Sequence, residues 1–182
     1  RNKDQPFFLY VSHAAVHNPY QTVMDTPEKR IKGENPNRVN DKNRAKYTWM
    51  LEDLDQGVGK ILDTLNELDL AENTLVMFFS DNGAVGMSPQ EYRMYRGGKF
   101  SHYEGGHRVP AIAWWPGKVK AGIRSDELIV GVDLCPTFTD IAGLSGNNPV
   151  NLDGASFKAH LLKQKDFPDR DIFFGYEPKL GT

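Results

Sequence analysis

Leu75-Val76-Met77-Phe78-Phe79-Ser80-Asp81-Asn82-Gly83 decides the fold: five apolar residues in a row stop at a polar cluster closed by glycine. The run does not alternate between apolar and polar, so it predicts a strand covered on both faces, as at the centre of a parallel sheet. In open α/β sheets, ligands gather beyond the carboxyl ends of the strands. Ser80, Asp81 and Asn82 therefore stand where chemistry is expected.

Upstream the period changes. Within residues 41–70, Tyr47, Met50, Leu51, Leu54, Val58, Ile61, Leu62, Leu65 and Leu68 recur at spacings of three and four. That predicts one helix with an apolar stripe for packing against a sheet. Asn40 or Asp41 is placed to cap its start, because a short side-chain oxygen accepts free backbone N–H groups. Gly57 and Gly59 lower its helix propensity and are expected where helix approaches sheet closely. Earlier still, Phe7-Phe8-Leu9-Tyr10-Val11 reads as a buried strand, and residues 18–40, polar and aperiodic, read as a long surface excursion of the kind that carries function.

Downstream, a Gly-rich segment leads to a strand over 109–115, turned by Pro116-Gly117. Residues 133–142 predict a short amphipathic helix, capped by Asp133 and stopped by Gly143. Residues 171–176 read as a last strand. This alternation of strands and helices predicts an α/β fold, a mostly parallel sheet flanked by helices.

Composition sets limits on partners. Across 182 residues, 22 Lys plus Arg against 24 Asp plus Glu give a formal net charge of −2, which argues against a nucleic-acid binder. Hydrophobic residues at 39% and charged residues at 25% place the chain among globular proteins. A single Cys, Cys135, excludes an internal disulfide framework and a Cys-based zinc cluster. It lies among Val132, Leu134, Phe138 and Ile141, so a small buried hydrophobe is expected rather than a nucleophile. No apolar run is long enough for a membrane helix, and no signal peptide opens the sequence. The chain starts at Arg1 and runs almost at once into an apolar strand pattern, which suggests an excised or processed piece.

Four residues carry candidate chemistry. Asp81 and Asn82 offer hard oxygen atoms that suit Ca²⁺ or Mg²⁺; on the dipeptide alone, an Asx turn closed by Gly83 is the commoner outcome. His17, in the loop with Asn18-Pro19, reads as a proton donor or anion contact, with an exposed His of no special role as the alternative. Pro19 argues against a helix that would pair His13 with His17. Lys99 follows Gly97-Gly98, where the backbone approaches a ligand closely and an ammonium meets an oxyanion, a solvated loop Lys being the alternative. Arg96, Glu104, His107 and Arg108 are expected to include an ion-pair network that fixes this loop.

In chain order, these blocks together resemble the sulfatase family of the alkaline-phosphatase-like superfamily. They are Pro6-Phe7-Phe8-Leu9-Tyr10 with His17-Asn18-Pro19, Leu51-Glu52-Asp53-Leu54-Asp55, Glu72-Asn73-Thr74-Leu75-Val76 with Ser80-Asp81-Asn82-Gly83, and Arg96-Gly97-Gly98-Lys99. Tyr103-Glu104-Gly105-Gly106-His107-Arg108-Val109-Pro110, Trp115-Pro116-Gly117, Asp133-Leu134-Cys135-Pro136-Thr137 and Leu152-Asp153-Gly154 follow. The resemblance implies that Asp81 and Asn82 are ligands of the active-site cation, Ca²⁺ with Mg²⁺ possible. It implies that Lys99 is a catalytic contact to the sulfate and that His17 is the active-site His, which either protonates the leaving alcohol oxygen or binds the sulfate.

The family's nucleophile, a Cys or Ser converted to formylglycine in a Cys/Ser-x-Pro-x-Arg motif, has no counterpart here. Cys135-Pro136-Thr137-Phe138-Thr139 lacks both the Pro spacing and the Arg. Residues 1–182 are therefore expected to be part of one sulfatase-like catalytic domain, with 151–182 leading into a C-terminal subdomain and a missing N-terminal half supplying formylglycine. The resemblance implies a sulfuric ester hydrolase for sulfated small molecules or carbohydrates, exported from the cytoplasm, with this segment inactive alone. A phosphoesterase or phosphonate hydrolase of the superfamily, and a non-catalytic binding protein of the same fold, are the alternatives.

Overall fold

The computed structural model describes residues 4–22, 44–84, 94–144 and 151–175. The proposed caps Asn40 and Asp41, and the excursion from residue 23 onward, lie outside the described residues. The chain divides into two compact units, Arg1–Ala113 and Trp114–Thr182.

The first unit is organised by α1, Arg44–Glu67. Its apolar stripe is half-buried and reaches full burial at Leu65. The other face is polar and exposed, as the 3.6-residue period requires. After Glu67 the chain turns through Asp69 at φ 57, and Leu70 N–H donates to Leu65 C=O at 2.8 Å. A single 3₁₀ turn, Ala71–Asn73, then feeds β1, Val76–Phe79. β1 pairs with β2, Ala111–Trp114, in a two-stranded sheet. Between the strands lies a Gly-rich loop with one short helical turn, α2, Glu104–His107.

Both strands form where the sequence places them, but neither is covered on both faces. Phe78 and Phe79 are 36% and 37% exposed, and Ile112 is 60% exposed. The described residues provide one neighbour for each strand and leave these side chains partly exposed. The run from Phe7 to Val11 is a larger correction. It forms no strand, and Phe8 and Tyr10 are each 74% exposed. An apolar run becomes a buried strand only when a ladder and a packed face form along it, and residues 7–11 are exposed with no strand geometry. The same holds for the expected last strand, which has no strand geometry through residue 175 and leaves Phe173 91% exposed.

In the second unit a 3₁₀ turn, Gly131–Asp133, leads into α3, Leu134–Ile141, and α4 spans Lys158–Lys163. Gly143 at φ 75 follows the end of α3, as a left-handed stop should. Asp133 does not cap α3. Its carboxylate turns away to accept Arg170 Nη1 at 2.7 Å, Arg170 Nη2, Val130 N–H at 2.8 Å and Ala155 N–H at 2.9 Å. Burial works against this charge, and the guanidinium and backbone donors outweigh it, holding the carboxyl below its ordinary value. Beside it, buried Thr137 donates to Asp133 C=O at 2.7 Å and accepts Phe157 N–H at 3.0 Å. Phe157 and Phe167 complete this small core. Cys135 is exposed, not buried, because Asp133 and Thr137 occupy the inward face of α3.

Candidate functional site

Three segments of the first unit converge at the end of β1. The first carries His17, held against α1 by a set of local contacts. Tyr20 meets Tyr47 edge to face, with centroids 5.7 Å apart, and Gln21 N–H points to Met50 Sδ at 3.3 Å. Burial, then the neighbouring Tyr47, raises the Tyr20 phenol above its ordinary value. A side chain placed at Gly57 would sit 3.8 Å from His13, an ordinary contact, and Gly59 faces open space. These two glycines therefore mark no close helix-to-sheet approach.

The second segment is the β1 exit. Ser80 Oγ–H donates to Asn82 C=O and Asn82 Nδ2 donates to Gly83 C=O, both at 3.0 Å. Asp81 is exposed at the turn. Gly83 is required here: a Cβ would collide with the Gly105 carbonyl oxygen. With no Cβ, Gly83 N–H reaches Gly106 C=O at 3.0 Å, and Ala84 C=O accepts Lys99 N–H at 2.7 Å. The strand end is thus joined to the third segment backbone to backbone.

That third segment is the Gly-rich loop. Gly105 packs on the Arg96 and Gly97 carbonyl oxygens, where a Cβ would come within 2.7 Å of each, and its N–H donates to Arg96 C=O at 2.8 Å. Ion pairing contributes less than the sequence suggests. Arg108 and Glu104 pair at 3.4 Å on the surface, a weak interaction in water. Arg96 instead lies 3.8 Å over the Tyr103 ring and donates to the Tyr103 hydroxyl at 2.8 Å. Arg108 covers Tyr95 at 4.7 Å. The aromatic partners were missed in the sequence; an Arg and a Tyr seven apart inside a Gly-rich loop were the available signal.

The outcome is a contact across the chain. Lys99 Nζ lies 3.5 Å from His17 Nε2, while His17 Nδ1 lies 2.7 Å from Asn18 C=O. A carbonyl only accepts, so Nδ1 carries a proton and the Nε2 edge faces the ammonium. Nε2 thus accepts from the Lys99 ammonium, and the ring becomes a second donor beside it only when Nε2 is protonated as well. Phe100, passed over in the sequence, follows Lys99 at φ 73 and is 94% exposed. Its ring centroid is 5.4 Å from Lys99 Nζ.

Asp81 and Asn82 match a hard divalent cation in donor chemistry. They fall short in number, since Ca²⁺ takes about six to eight oxygens and no group of three His, Cys, Asp or Glu side chains gathers among the described residues. No described helix is long and apolar enough to cross a membrane.

Residues 1–144 match the family model described as Sulfatase. The chain is 36% identical to human N-acetylgalactosamine-6-sulfatase, covering 94% of this chain and 31% of that protein. It is 34% identical to human arylsulfatase A, covering 96% and 32% respectively. Among solved structures, Ps i-CgsB in complex with k-i-k-neocarrahexaose superposes with a TM-score of 0.71 at 34% identity, covering 91% of this chain and 35% of that one. The chain therefore spans about a third of the length of the curated relatives it matches. By the family model and by these relatives, the chain belongs to the sulfatase family.

Proposed function

We propose that the full-length protein is a sulfuric ester hydrolase, and that this chain supplies its sulfate-binding His17 and Lys99 and the cation ligands Asp81 and Asn82. The observation that carries this reading is the approach of Lys99 Nζ to His17 Nε2 at 3.5 Å. Cleaving a sulfate ester moves negative charge onto the sulfate oxygens and the leaving oxygen, so donors fixed beforehand at those positions lower the barrier. Lys99 serves as the fixed positive charge. His17 holds or delivers a proton at Nε2, either to a sulfate oxygen or to the departing alcohol. A bound Ca²⁺ or Mg²⁺ on Asp81 and Asn82 would supply further charge neutralisation.

The proposed substrates are sulfated small molecules or carbohydrates. Support comes from the related structure of Ps i-CgsB in complex with k-i-k-neocarrahexaose and from that of BT4656 in complex with its substrate D-glucosamine-2-N,6-O-disulfate. On this reading β1 and β2 belong to a larger, mostly parallel sheet. The exposed surfaces of Phe8, Tyr10, Phe78 and Ile112 meet the rest of the same catalytic domain, which also carries formylglycine. Residues 151–182 lead into a C-terminal subdomain, and the protein works outside the cytoplasm.

Sulfate release from an aryl sulfate by the full-length protein with Ca²⁺ tests the reading. Turnover is expected from the intact protein and none from residues 1–182 alone; an intact protein inert toward aryl and sugar sulfates would refute it.

A further inference from the structure

We propose that Phe100 is a substrate-binding residue, whose ring stacks on the ring of a sulfate ester held by Lys99 and His17. The inference rests on the hydrolase reading above and goes beyond it by naming the side chain that receives the organic half of the substrate.

Phe100 has two properties that rarely coincide. Its φ of 73 lies in the left-handed region, which is unfavourable for a bulky side chain without a compensating reason. Yet the side chain is 94% exposed, so no packing among the described residues compensates. The backbone is held there from both sides. Lys99 N–H donates to Ala84 C=O at 2.7 Å and Ser101 N–H to Gly98 C=O at 3.0 Å, while Gly98 N–H donates to Ser101 Oγ at 3.1 Å. The turn that aims Lys99 at His17 thus forces residue 100 outward, and the residue displayed is an aromatic one.

Position selects its role among the loop's aromatics. The face of Tyr103 is taken by Arg96 at 3.8 Å and that of Tyr95 by Arg108 at 4.7 Å. The Phe100 ring has the Lys99 ammonium beside it at 5.4 Å and is otherwise open. In a sulfate ester the organic group begins one bond beyond the bridging oxygen. A sugar or phenyl ring attached there comes within reach of a side chain neighbouring the ammonium, and ring faces of either kind favour an aromatic partner. An acyclic alkyl group offers no such face.

The experiment compares the full-length wild type with Phe100→Gly and Phe100→Tyr, using an aryl sulfate, a monosaccharide sulfate and an acyclic alkyl sulfate. Phe100→Gly is expected to raise KM for the two cyclic esters about tenfold, the upper end of an aromatic contact. The alkyl ester, inhibition by inorganic sulfate, and kcat stay near wild type, and Phe100→Tyr recovers the cyclic esters. Because Gly is at ease at φ 73, the melting temperature holds or rises. A fall in melting temperature for Phe100→Gly shows a packed residue and overturns the proposal, as does an equal KM for cyclic esters in both proteins. A wild type active on none of the esters overturns the hydrolase reading itself, and this proposal with it; an active wild type with unaltered variants overturns this proposal alone.

Discussion

Lys99 Nζ stands 3.5 Å from His17 Nε2 although the two residues are 82 apart in sequence. Neither lies in a helix or strand. Their meeting depends on α1 holding the His17 loop and on a junction of glycines holding the Lys99 loop.

Removing either partner is expected to cost the full-length enzyme about 100-fold or more in kcat/KM on an aryl sulfate, the scale of losing one donor to a developing oxyanion. Because the two groups face one another, Lys99→Ala combined with His17→Ala should cost less than the product of the single effects. Steady-state kinetics on the four proteins of the cycle measure this, and independent, multiplicative losses would show that the two do not share an anion.

Glycine substitutions separate backbone contact from helix propensity. Gly83→Ala drives a methyl group into the Gly105 carbonyl, and Gly106→Ala drives one into the Ser101 carbonyl. Each is expected to destabilise the protein by about 1–3 kcal/mol, the cost of overpacking, and to weaken inhibition by inorganic sulfate as Lys99 moves. Gly59→Ala meets nothing within 4 Å and should be neutral or stabilising by up to about 1 kcal/mol. Urea midpoints rank the three.

Acid should undo the second unit through Asp133. Its folded carboxyl lies below the ordinary value: burial opposes the charge, and Arg170 with two backbone N–H groups more than restores it. A lowered folded pKa contributes stability that is complete above the unfolded value of about 3.9 and is lost as pH falls through the folded one. Stability of the wild type should therefore decline below about pH 4. Asp133→Asn should remove that part of the decline and cost about 3–5 kcal/mol at neutral pH, since it strands a guanidinium that is only 19% exposed. Denaturant titrations at neutral and acid pH, read by circular dichroism, give both quantities.

Calcium should bind through Asp81 and Asn82 only weakly in residues 1–182, because two ligands are far fewer than Ca²⁺ requires. Asp81→Ala and Asn82→Ala in the full-length protein are each expected to lower calcium affinity at least tenfold and to abolish the rise in melting temperature on adding calcium. Calorimetric titration checks the affinity, and unchanged binding would remove both residues from the cation site.

Local pattern was legible and partnership was not. The run at 75–79, the stripe from Tyr47 to Leu65, and the stop at Gly143 became β1, α1 and the end of α3 because period and glycine chemistry act within a few residues. The ordered motif set likewise named His17 and Lys99, and the structure brings them together. Phe7 to Val11 failed because burial belongs to the neighbour as much as to the strand. Cys135 failed because Asp133, held by Arg170 from 37 residues away, and Thr137, bonded to Phe157 N–H, took the inward face of α3. Arg96 failed in a milder way: the sequence shows its charge but not that Tyr103 lies beneath it.

Exposure separates the Asp133–Arg170 pair from the His17–Lys99 pair in a way that salt will reveal. The Asp133 carboxylate is wholly sheltered, so mobile ions have little access to its union with Arg170. His17 stands at the surface, and at about 0.15 M salt charges there are screened beyond about 8 Å. Raising ionic strength should therefore slow the capture of a charged ester at His17 and Lys99 while the second unit melts where it did before. A brine would dull recognition and leave architecture alone.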